Sequence, residues 1–400
     1  MLLSQTRRGE VIDLCRRLVS IPSPSGEEEE AVRFVRDTME ALGYDEVVMD
    51  RLGNVWGCIR GSRPGRRILF DSHMDTVGVA DQARWTRDPY CAEISSGRIY
   101  GRGSSDMKGA AAAMIMAAAY LAEDCGREFS GEIYVSCTVH EECFEGVAAR
   151  EVSRAVKPDW VIIGEASNLD INRGQRGRAE IQVETFGTSA HSSSPEVGHN
   201  AVYDMFTLAG ELRGIQPADH AFLGSGIMEL TDIISHPHPG ASVVPEHCTV
   251  TYDRRLLPGE TEASVLAGVN GAMDRVKEGV ANLNARARCR EDSARCWTGE
   301  ILSAKRFFPA WVTDEDHELV GLARKALSGI GLCPEVSRYS FCTNGSHYAG
   351  EAGIPTIGFG PSPETLAHVV DEYIEVEQLV LACAGYYGIM EAASRGLSFG

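Results

Sequence analysis

The stretch Phe70 to Val77 reads FDSHMDTV and places Asp71, His73 and Asp75 on alternate positions directly after an apolar run, RRILF (Arg66 to Phe70). Ionisable groups packed this densely cannot be buried without partners, so they face water, bond one another or hold a cation. Comparable groups follow other apolar runs. His140, Glu141 and Glu142 come after GEIYVSCTV (Gly131 to Val139), and Glu165 comes after DWVIIG (Asp159 to Gly164). Asp106 sits in YGRGSSDMKG behind a glycine-rich turn, and His368 sits in ETLAHVVDE. A single His or Glu in such a place more often caps an element or faces solvent. Two histidines and several carboxylates together, without cysteine, suit a borderline divalent cation, with zinc ahead of cobalt or manganese.

Helices and strands with a regular order must bring these groups together. Val11, Leu14, Cys15 and Leu18 have helical spacing, and Ser25-Gly26 followed by a Glu run opens a second helix reaching Leu42. RRILF, GEIYVSCTV, DWVIIG and GIPTIGFG (Gly353 to Gly360) read as buried strands, with an alanine-rich helix from about Met107 to Ala122 between the first two. This alternation predicts an α/β fold: a mixed, mainly parallel sheet with helices on both faces. In such a sheet the ligand crevice lies outside the carboxyl ends of the strands, where His73, Asp75, Glu141, Glu142 and Glu165 all fall. Between about Arg173 and Arg295 the character changes. RGRAEIQVETFG alternates like an antiparallel strand, a helix follows from Asn200 to Leu212, and CTVTYDRRLL (Cys248 to Leu257) reads as a half-exposed strand before a helix near Thr261 to Val276. The expected organisation is a domain over 1–174 and 296–400 with a small α+β domain, 175–295, inserted into it.

Composition narrows the function. A formal net charge of -19 excludes nucleic acid and anionic membrane as main partners, because neither polyanion is attracted to such a surface. The longest apolar run, Ala110 to Ala122, is too short and too alanine-rich to span a bilayer, and the first residues alternate apolar and charged side chains rather than forming a signal-peptide core, so cytoplasmic residence is the expectation. The twelve cysteines include no CxxC pair and read as reduced and mostly buried. His236 and His238, flanked by prolines, read as a solvated loop, and Trp85 reads as a core residue.

HMD (His73 to Asp75), GRGSSDMKGA (Gly101 to Ala110), HEE (His140 to Glu142), GEAS (Gly164 to Ser167), TSAHSSSPEVGHNAV (Thr188 to Val202), YDRRLLPGET (Tyr252 to Thr261) and GIPTIGFGPS with AHVVDEY (Gly353 to Tyr373) resemble, in order, the motif set of the M20 family of dinuclear metallohydrolases. Within it, HMDTVGV and FCTNGSHYAGEAGIPTIGFGP are most similar to the branch linked to selenium metabolism. The resemblance implies a zinc-peptidase-like catalytic domain, an inserted lid and dimerisation domain, and two divalent ions. His73 and Glu165 would bind one ion, Glu142 and His368 the other, with Asp106 bridging. Asp75 would fix the tautomer of His73, Glu141 would be the general base, and a cis peptide would follow Asp106. His191 would donate a hydrogen bond to the developing oxyanion from the neighbouring subunit of a homodimer. Arg255 is the candidate clamp for a substrate carboxylate, since a guanidinium grips one in bidentate fashion. Asn344 is a candidate polar substrate contact, although similar proteins often carry Asp in that loop. The implied activity is hydrolysis of an amide, peptide or ureido C–N bond in a small substrate bearing a carboxylate. A non-catalytic metal-binding homologue with the same fold is the alternative.

Overall fold

In the computed structural model, which describes residues 3–280 and 282–395, RRILF lies inside a longer strand, Arg63–His73, that carries Asp71, Ser72 and His73 into the interior. Its neighbours on both sides run parallel to it. Ser130–Thr138 pairs one edge with His73 opposite Thr138, and Trp160–Ile163 pairs the other with Asp71 opposite Ile163. The sheet order is Glu46–Met49, Val55–Arg60, Ser130–Thr138, Arg63–His73, Trp160–Ile163, Thr356–Gly358 and Ile171–Gln175. The first two strands are antiparallel additions, and the sheet is mixed and mainly parallel. Three neighbouring strands thus end at the same level and deliver His73, the His140–Glu142 turn and Glu165 to one edge.

The alanine-rich helix, Gly109–Cys125, starts later than expected because Asp106 and Met107 have non-helical dihedrals and are joined by a cis peptide bond. It is buried on every side from Gly109 to Leu121 and packs against the final helix, Val376–Ser394. Alanine side chains let such a helix lie close to its neighbours. Gly164 extends the same principle to the sheet: a Cβ there would lie 2.4 Å from Met114 Cε and 2.8 Å from Met107 Cε. On the other face, Val152 and Val156 of the helix Ala149–Val156 pack with Trp56, Leu69, Val161, Ile163 and Tyr348. Each such aliphatic side chain contributes ~1.5–3 kcal/mol by leaving water.

The strands and helices group into two units: one through Gln175 with Ser293–Leu302 and from Val312 onward, the other Arg176–Asp292 with Ser303–Trp311. The second unit has an antiparallel sheet, Ile227–His236, His247–Leu256, Gly177–Phe186 and Asn284–Cys289 in that order. Helices Ala201–Leu212 and Glu262–Gly279 bury Met205, Leu208, Val269 and Met273 against Ile181, Val183 and Val250 of the sheet. Its extent differs from the expected 175–295. Ser303–Trp311 belongs to it as well, because Phe307 and Phe308 add to the sheet opposite Ala179 and Arg178. No described helix is long and apolar enough to cross a membrane.

Candidate metal centre

Asp106 is the hinge of the site. Its Oδ1 lies 3.1 Å from His73 Nε2, and its Oδ2 lies 3.1 Å from His368 Nε2. Glu165 Oε1 completes the first side at 3.3 Å from His73 Nε2, and Glu142 Oε2 completes the other at 3.0 Å from His368 Nε2. Glu141 Oε2 lies 4.0 Å from His73 Nε2. Two overlapping groups, His73 with Asp106 and Glu142, and His73 with Glu141 and Glu165, present ligand atoms within 4.8 Å of one another. All are buried except His368, whose side chain is half exposed, and Glu142, which is nearly buried. His368 and His140 both take positive φ, 63° and 56°. Non-glycine residues held there cost of order 1–3 kcal/mol each, which the surrounding contacts must supply.

Burial and mutual charge shift these groups strongly. Burial opposes a charged His73, yet its bonds to Asp106 and Glu165 outweigh burial and push it well above the usual imidazole range. His368 is pushed up to about 10 by Asp106 and Glu142. Burial, reinforced by the Asp106 charge, pushes Glu165 up to about 7. Burial also drives Glu141 well above the carboxylate range, with Glu165, Glu142 and Glu145 adding to it against His73. The carboxylates therefore want positive charge, and here the imidazoles supply it. Glu141 Oε1 and Glu165 Oε2 are buried without a hydrogen-bond partner. Unpaired buried acceptors beside two imidazole nitrogens fit divalent cations with N and O ligands.

The sequence profile of peptidase family M20/M25/M40 matches residues 69–392. The chain belongs to that family. YgeY of Escherichia coli (strain K12), itself described as uncharacterized, is 35% identical over 381 residues, which cover 94% of this chain and 92% of that one. Acetylornithine deacetylase of Salmonella paratyphi B is 28% identical over 382 residues, covering 91% and 92% respectively. Among solved structures, the Bacillus subtilis YXEP protein, described as a dinuclear metal binding peptidase from the M20 family, matches with a TM-score of 0.71 at 15% identity over 98% of this chain and all of its own, a likeness of fold.

Asp75 and Asn344 of this M20 chain are both engaged within the protein. Of the Asp75 oxygens the main-chain carbonyl lies nearer His73 Nδ1, at 2.8 Å, with the carboxylate Oδ1 at 3.6 Å. The carboxylate accepts the N–H groups of Glu141 at 2.9 Å and Glu142 at 3.1 Å, and the Ser25 hydroxyl at 2.7 Å. Asn344 is buried. Its amide donates to Asp71 and Thr138 and accepts from the Gly146 N–H, all in the interior. In the second unit, His191 lies on the short strand Ala190–His191, with its Nδ1 bonded to Ser193. Arg255 pairs with Asp253 at 2.8 Å, while its neighbour Arg254 is buried against Glu260.

Sequence reasoning missed Glu372 and Glu28. Glu372 is fully buried, pairs with Arg102 at 2.6 Å and accepts the N–H groups of Ser105 and Asp106, so it holds the backbone at Asp106. Glu28 does the same for His140, accepting its N–H at 3.2 Å and that of Gly26 at 2.9 Å. Only proximity to a motif could have singled them out: Glu372 stands four residues after His368, and Glu28 inside an acidic run.

Proposed function

We propose that this M20 chain is a metal-dependent amidohydrolase that cleaves an amide, peptide or ureido C–N bond of a small substrate bearing a carboxylate. The division of the Asp106 carboxylate between His73 and His368 carries the reading. His73 and Glu165 would hold one divalent ion and His368 and Glu142 a second, with Asp106 shared. Ions so bound supply a water of lowered pKa and a polarised carbonyl. Glu141, buried with one oxygen unpaired, takes the proton of the attacking water and passes it to the leaving nitrogen. Asp75 keeps this base and the adjacent ligand in register through their main-chain N–H groups. That one relative is a deacetylase and a structural neighbour a dinuclear metal binding peptidase supports both the bond class and the pair of ions.

Arg255 is the proposed clamp for the substrate carboxylate, exchanging Asp253 for it, and His191 the proposed oxyanion donor, supplied by the partner of a homodimer. Support for the dimer comes from Ile227–His236, an edge strand whose Ile227, Leu230, Ile233 and Ile234 are all exposed. The test combines metal content with turnover. About two divalent ions per chain are expected, with hydrolysis of N-acyl amino acids, N-carbamoyl amino acids or dipeptides that a chelator abolishes and zinc, cobalt or manganese restores. Glu141→Gln should keep its metal and lose ~10²–10⁴ in turnover. Near-normal turnover in that variant would remove Glu141 as the base.

A further inference from the structure

Beside His368 lies a cavity of about 180 Å³, whose lining includes Val77, Asp81, Arg84, Trp85, Arg102 and Val370 together with His368 itself. Trp85, which the sequence places in the core, is half-buried and forms one wall. Two loops enclose the space, one after the HMD motif and one after His368, and protein bonds fix them to each other. The Thr86 N–H and hydroxyl both donate to Asp371, at 2.8 Å each. Behind the indole, the Arg102 guanidinium stands 5.2 Å from the ring centroid and is held in turn by Glu372. The wall of the cavity and the backbone of Asp106 therefore depend on one buried carboxylate.

Resting on the metal-hydrolase reading, we infer that this cavity is the subsite for the substrate group nearest His368 and that it selects a small apolar group, with Trp85 setting the upper size. Val77, Trp85 and Val370 give it apolar walls, and at ~30 Å³ per water-sized unit it holds about six non-hydrogen atoms. Arg102, already engaged by Glu372 and stacked on the indole, serves as scaffold. Position makes the cavity relevant: the half-exposed His368 is part of its lining, so on this reading a group seated there is attached next to the bond being cleaved.

Straight-chain hydroxamates, from acetohydroxamate to octanohydroxamate, test this without turnover, because the hydroxamate anchors on metal while its chain samples the cavity. Calorimetry on the zinc-loaded full chain should show affinity rising about fourfold per methylene and then levelling once the space is filled. Trp85→Ala should move that limit to longer chains. Val370→Phe, at an exposed position, should bring it to shorter ones, and it carries the test alone if the tryptophan variant does not fold. The same shifts should appear in the chain-length profile of hydrolysis. Affinities independent of chain length, or identical profiles in all three proteins, overturn the subsite. A series that fails to bind zinc-loaded protein at all overturns the metal-hydrolase reading and the subsite with it.

Discussion

At Asp75 one side chain serves two neighbours of different purpose. Its carboxylate collects the N–H groups of Glu141 and Glu142 and the Ser25 hydroxyl, so the proposed base and a proposed ligand are aimed by the same acceptor. Charge-assisted bonds of this kind are about twice as strong as neutral ones, and both would weaken if the acceptor became an amide. Asp75→Asn keeps the shape but offers a single acceptor oxygen, and it should lower turnover by ~10–100-fold together with metal affinity. Kinetics and metal titration on the same preparation check this; unchanged values for both would place Asp75 outside the machinery. Asp75 was singled out through the resemblance of the HMD motif to the M20 set. Which of its atoms meets His73 was not legible, because main-chain and carboxylate oxygens compete at nearly the same reach. Glu372 was illegible for a different reason: a charge buried by distant packing looks, in sequence, like any loop acid.

Among the elements, one tie centres on Asp71, which lies on the central strand and is wholly buried. It accepts from Ser136 at 2.6 Å, Tyr348 at 2.9 Å and Asn344 at 2.8 Å, while Asn344 also accepts the N–H of Gly146. The central strand, its parallel neighbour, the turn after the HEE motif and the 343–351 segment are thereby fastened at one point. Asn344→Leu would orphan an Asp71 oxygen and the Gly146 N–H, each at ~1–3 kcal/mol, a large loss against the ~5–15 kcal/mol of a typical domain. A urea midpoint equal to wild type would contradict it. Nearby, the helix Ala149–Val156 is held by Arg150 on Glu351 and by Ser153 on His347. Burial alone would raise Glu351, but His347 and Arg150 outweigh it and hold the carboxyl at about 2, below its ordinary 4.5. A lowered folded value means that its contribution is present above 4.5 and lost as pH falls towards 2. The stability gap between wild type and Glu351→Gln, measured in chelator, should therefore narrow between about pH 6 and pH 3. Of the strands, the buried Val55–Arg60 and Ile171–Gln175 went unread, broken in sequence by Gly57 and by Asn172 and Gly174, while Arg63–His73, Ser130–Thr138 and His247–Leu256 were legible as apolar runs or alternation. Ile227–His236 was not, since a strand exposed along most of its length carries no burial period to read.

On the scale of the whole molecule, that same exposed strand poses the remaining problem. Long, with four exposed aliphatic side chains and, among the described residues, no partner along one edge, it is a surface that proteins normally cover. A second copy would cover it in the proposed homodimer, and Ile233→Lys should then give monomers in sedimentation velocity. The companion claim, that His191 acts on the partner's site, has a sharper test because each half of the machinery can be removed on a different chain. Glu141→Gln lacks the base but keeps His191; His191→Ala keeps the base but lacks the donor. Each variant alone should be nearly inactive. After exchange of subunits about half the dimers are mixed, and each mixed dimer joins an intact Glu141 to an intact His191 at one of its sites, so about a quarter of wild-type activity should return. If His191 served its own chain, no chain in the mixture would hold both groups and activity would stay near zero.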